Sequence, residues 1–183
     1  MTATTAQQSR QWTGPAVFSF GFRPFFLFGA LWAALAMLLW VLMLAGFLTL
    51  PTRFDPVSWH AHEFLFGYTG AIIGGFLLTA VPNWTGRLPV VGWQLAALFV
   101  VWVAGRIAVA TSGLWPAGVA MAVDLGFPVL LSAVILREII AGRNWRNLIV
   151  LSLLTVFAVS LEVDTGGTEI STPSSFLMAC RCL

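Results

Sequence analysis

The sequence predicts an all-α protein, a polytopic bundle of transmembrane helices, and three observations carry that prediction. Only 9% of its 183 residues are charged, whereas an ordinary soluble domain has about 25%, so too few charges exist to cover a water-facing surface. Mean hydropathy is +0.92, and nine Trp and fifteen Phe supply the flat rings that settle at headgroup depth in a bilayer. Apolar residues also come in long unbroken runs, at about 25–50, 64–82, 90–112, 116–136 and 147–161, separated by short segments bearing Pro, Arg or Asn. About 20 residues cross a bilayer as a helix, which gives about five spans. Only helices or closed barrels satisfy the backbone in lipid, and the runs lack the alternation of barrel strands.

Residues 1–24 are polar and then aromatic, and form a cytoplasmic segment with an interfacial anchor. The first run, 25–50, is longer than the 7–15 apolar residues of a signal peptide, so it reads as a retained span. The second to fourth runs are each long enough to cross about 30 Å of hydrocarbon. The fifth, Asn147 to Leu161, is short and ends in Glu162, Asp164 and Thr165. Residues 162–183 lose membrane hydropathy altogether and are expected to be a polar tail, a truncation or an out-of-frame end.

Arginine sets the orientation. Arg10 and Arg23 precede the first span, Arg87 separates the second from the third, and Arg137, Arg143 and Arg146 flank the turn between the fourth and fifth, all on one side. The other side has Arg53, offset by Asp55. The positive-inside rule therefore puts the N-terminus in the cytoplasm and His60 and His62 at the outer face. The chain has no Lys and no basic run, so nucleic-acid binding has no electrostatic footprint. Its two thiols, Cys180 and Cys182, exclude a disulfide framework and are weak evidence of a metal site. Nucleotide loops, hydrolase elbows and covalent haem-attachment motifs are missing.

Chemistry-bearing residues gather in a few places. Trp59-His60-Ala61-His62-Glu63 holds both histidines of the protein. On a regular helix His60 and Glu63 share a face, whereas the two imidazoles lie about 200° apart and cannot chelate one ion. One histidine as ligand and one as support is the natural division, with a carboxylate fixing the ring tautomer. A polar interfacial cap is the alternative. The following Gly70-Ala71-Ile72-Ile73-Gly74-Gly75 stretch admits close approach of a helix or a flat macrocycle. Arg106 and Asp124 lie roughly 10 Å inside the third and fourth spans, where they can pair, neutralise a haem propionate or line a proton path. Phe18 to Phe26 packs five rings around Arg23, an anchor that suits an arginine on phosphate. Thr79 to Arg87 marks a span end at Pro82.

The segments Phe18–Phe26, Trp59–Tyr68 and Gly75–Arg87, in this order and spacing, resemble the N-terminal part of the NnrS family of bacterial inner-membrane proteins. The resemblance runs from about residue 15 to 160 and implies haem, and secondarily copper, in a protein of denitrification and the nitric oxide response. It singles out Arg23, His60, His62, Glu63, Asn83 and Arg87, with the two histidines as metal or haem ligands and Glu63 beside them. Family chains form bundles of about twelve spans of about 20 residues each, so about five spans are expected to be part of a larger bundle. A permease or channel-like bundle without cofactor, and a non-functional fragment, are the competing expectations; no catalytic reaction is assignable.

Overall fold

A computed structural model describes residues 12–85, 90–116, 118–143 and 145–170, and every regular element among them is helical. After a short turn at Ala16–Ser19 come α1 (Phe22–Leu44), α2 (Pro56–Thr85), α3 (Trp93–Ala110), α4 (Val119–Ala141) and α5 (Leu148–Ile170). Helices α1 to α4 are each long and apolar enough to cross a membrane, whereas the apolar part of the last, Trp145–Ser160, is shorter. The helices form a bundle in which α2 packs on α1 and α4, and α4 packs on α3 and α5.

The ends of the helices depart from the apolar runs for local reasons. The first run continues to residue 50, yet α1 stops at Leu44 because Gly46 takes φ +75° and the Phe47 amide turns back onto the Leu42 carbonyl. Asp55 then caps α2, accepting from the Val57 and Ser58 amides at 2.9 and 3.2 Å, with Pro56 in the first helical position. Helix α2 consequently begins well before the expected residue 64, and the histidine motif sits inside it. Pro82 does not end α2. It lies within the helix, which runs on to Thr85. Helix α4 likewise continues past the expected 136 to Ala141, and the α5 backbone continues past 161 to Ile170. Residues 171–183, with both cysteines, lie outside the described residues, as do Arg10 and Arg87.

Cross-links fix which ends lie together. The Gly92 amide donates to the Phe18 carbonyl, joining the starts of α1 and α3, and a Cβ on Gly142 would meet Thr85, joining the ends of α4 and α2. At the opposite end Ser112, after α3, meets Thr52 at 3.1 Å and the Arg53 amide at 3.0 Å, before α2. Between these ends, Phe25, Leu78, Leu95, Trp102, Phe127, Leu131 and Ile139 form one apolar core. The glycine-rich stretch of α2 seats rings of three neighbours in it: Phe157 beside Gly70, Phe127 beside Gly74 and Phe26 beside Gly75. Helix packing therefore occupies the close approach that these glycines permit.

Candidate functional site

Both histidines lie on one turn of α2, but the turn puts them in different surroundings. Directly after His62 the helix widens, and Glu63–Tyr68 is a π-helical stretch. Thr69 marks its end, where both its amide and its hydroxyl donate to the Phe64 carbonyl, five residues back. Such bulges re-aim side chains and recur at functional sites.

Glu63, where the bulge begins, reaches into the bundle. Glu63 is fully buried and its Oε2 accepts from the Trp32 indole at 2.7 Å and from Arg106 Nη1 at 2.8 Å. Arg106 also donates through Nη2 to Asp124 Oδ1. His62, 1% exposed, completes the group: its Nε2 is 3.3 Å from Asp124 Oδ2 and its Nδ1 is 3.9 Å from Glu63 Oε1. Neither contact is a well-directed hydrogen bond, so both ring nitrogens and both of those carboxylate oxygens lack one. Phe54 and Phe66 wall the imidazole with ring centroids 5.2 Å away.

Room for this cluster comes from glycines. A Cβ on Gly67 would lie 2.6 Å from both Arg106 Nη1 and Glu63 Oε2, and one on Gly105 would lie 2.7 Å from Asp124 Oδ1. The Gly67 carbonyl accepts from the Trp102 indole at 3.0 Å, which satisfies an acceptor in the bulged backbone. In hydrocarbon an isolated charge is expensive, so one guanidinium bridging two carboxylates is the arrangement that lets all three remain buried.

His60 lies outside this cluster. It is half-buried on the α1 side of the turn, stacked on Trp40 with centroids 4.2 Å apart and planes 13° apart, and its Nδ1 is enclosed without a hydrogen-bond partner. Phe64 lies 6.3 Å further along. The two imidazoles are apart, as their angular separation requires. Of the two histidines, Glu63 neighbours His62 and not His60, because its carboxylate is taken up by Arg106 and Trp32 inside the bundle.

The remaining motif positions stand apart. Arg23 donates from Nη1 to the Ala16 carbonyl at 3.0 Å and to Ser19 Oγ at 2.7 Å, with its guanidinium 4.8 Å from the centre of the Phe20 ring. Asn83 is exposed on the last turn of α2. Arg106 and Asp124 pair as their depth suggests, but their union with the histidine motif was not foreseen. Trp32 and Trp102 were also missed, although an indole N–H is costly to leave unpaired in a span, and that cost could have flagged both. Glu138, buried at 7% exposure, escaped because α4 was expected to end before it.

Among the described residues no three His, Cys, Asp or Glu side chains converge as a metal-ligand set. His62 offers a single imidazole beside two hard carboxylates that balance the charge of Arg106, and that donor set does not fit a copper ion. His60 fits a haem better, since one half-buried imidazole held flat by an indole can serve as a single axial ligand.

Fold and site together define a helical membrane-spanning bundle organised around a buried arginine–carboxylate–histidine cluster. The family model of the NnrS protein matches residues 16–166, most of the chain, and the chain belongs to that family. No curated protein and no solved structure matches it significantly.

Proposed function

We propose that this chain is a haem-binding membrane protein of the bacterial response to nitric oxide, with His60 as the axial ligand it contributes. Membership of the NnrS family supports the role. The observation that carries the choice of ligand is the contrast within one turn: His62 is sealed among Asp124, Glu63, Phe54 and Phe66, while His60 is half-buried with its ring braced by Trp40. When bound, haem supplies an iron centre for nitric oxide. The chain's own part is to brace the ligand imidazole against Trp40 and, through Arg106, to hold rigid the turn that carries it.

The placement proposed is the bacterial inner membrane with the N-terminus in the cytoplasm. In support, Arg23, Arg137, Arg143 and Arg146 share one end of the bundle and Arg53 with Asp55 lies at the other. To test the reading, the protein is purified in detergent, supplied with haem and its absorption spectrum recorded before and after nitric oxide. The expected result is a Soret band that shifts with the gas. A protein that folds yet shows no such band would refute it.

A further inference from the structure

A groove opens where the Ala16–Ser19 turn meets the first turns of α1, and its chemistry is amphiphilic. Ala16, Val17, Phe22, Phe26 and Leu27 make an apolar floor and walls, and Arg23 stands at the rim. The groove is open to the surface and offers about 420 Å³. Arg23 is exposed yet held in place, by two hydrogen bonds from Nη1 and by the Phe20 ring. Among the described residues Nη1 is the one guanidinium nitrogen of Arg23 with a protein acceptor, which leaves its other N–H groups for an oxyanion.

Charge complementarity selects the occupant. The first acidic residue of the chain is Asp55, at the opposite end of the bundle, so nothing in the first 54 residues competes for Arg23. Arg137, Arg143 and Arg146 are exposed at the same end as Arg23, and the single acid there among the described residues, Glu138, is buried. Because α1 is membrane-spanning in length and composition, its first turn lies at headgroup depth, with the apolar groove beside it. We propose that this groove holds one acyl chain of an anionic phospholipid whose phosphate sits on Arg23.

The test is native mass spectrometry of the full chain in detergent, counting retained phosphatidylglycerol against phosphatidylcholine. The wild type is expected to retain one phosphatidylglycerol preferentially. Arg23→Gln should weaken that retention about fivefold, the effect of one arginine at an anionic leaflet. Val17→Trp, which fills the groove and keeps the arginine, should weaken it as well, so the outcome does not rest on how one variant folds; circular dichroism checks the helix content of both. Excess inorganic phosphate should not displace the lipid, because the acyl chain contributes to binding. Equal retention of the two lipids by the wild type, unchanged retention in both variants, or displacement by phosphate alone would overturn the proposal.

Discussion

The two sides of a single turn of α2 teach how this bundle separates holding from binding. Inward, His62 and Glu63 are knitted to Arg106, Asp124 and Trp32, so that three helices besides α2 are tied to one buried point. Outward, His60 stacks on Trp40 beside Phe64 and stays half-buried. A histidine committed to buried charges cannot give up its position without exposing them, whereas one stacked on an indole can take a ligand at little structural expense. Proximity in sequence therefore says little about shared duty.

Removing the central cation breaks the inward side outright. Arg106→Leu leaves Glu63 and Asp124 buried without a counter-charge and is expected to cost about 3–5 kcal/mol, read as a large fall in the thermal unfolding temperature in detergent. Gly67→Ala probes the same side more gently. Its new methyl would lie 2.6 Å from Arg106 Nη1 and Glu63 Oε2, and pushing them apart should cost about 1–3 kcal/mol. Trp32→Phe keeps an aromatic ring but removes the donor to the charged Glu63, for an expected loss of about 1.5–3 kcal/mol by the same assay. Trp40→Phe, its counterpart on the outward side, should lower the unfolding temperature less, because the Trp40 indole N–H has no acceptor to lose and a stacking surface for His60 remains. An unfolding temperature that falls as far for Trp40→Phe as for Trp32→Phe would erase the distinction between the sides.

The smallest effect concerns the cap that starts the turn. Asp55→Ala should cost about 0.5–1 kcal/mol, the low end for an exposed cap. Hydrogen bonding to Ser58, first through its side chain, and to the Val57 amide holds the Asp55 carboxyl below its ordinary value of 3.8. Its contribution is therefore complete above that value and fades as pH falls through the lowered one. Acid titration of unfolding in wild type and Asp55→Ala should converge at the acidic end; a gap that stays constant with pH would count against the cap.

Most of the fold was legible because hydropathy is what lipid selects, and composition alone separates a membrane bundle from a soluble domain. Helix ends were less legible. They depend on single backbone events, such as Gly46 at positive φ or the Asp55 cap, which an apolar run does not encode. Pro82 misled because a proline can sit inside a membrane helix when neighbours re-satisfy the backbone. In the site, the pairing of Arg106 with Asp124 followed from depth along two adjacent spans. Its junction with Glu63 did not, because the second apolar run begins only at residue 64 and put Glu63 at the span's outer entry, whereas the Asp55 cap starts α2 at Pro56 and carries Glu63 into the bundle.

The central claim is that His60, not His62, is the haem ligand this chain supplies, and His60→Ala tests it most directly. The variant should stay folded, since the buried cluster is untouched, and should lose the Soret band when reconstituted with haem beside the wild type. A folded His60→Ala protein that keeps the full band would contradict the account.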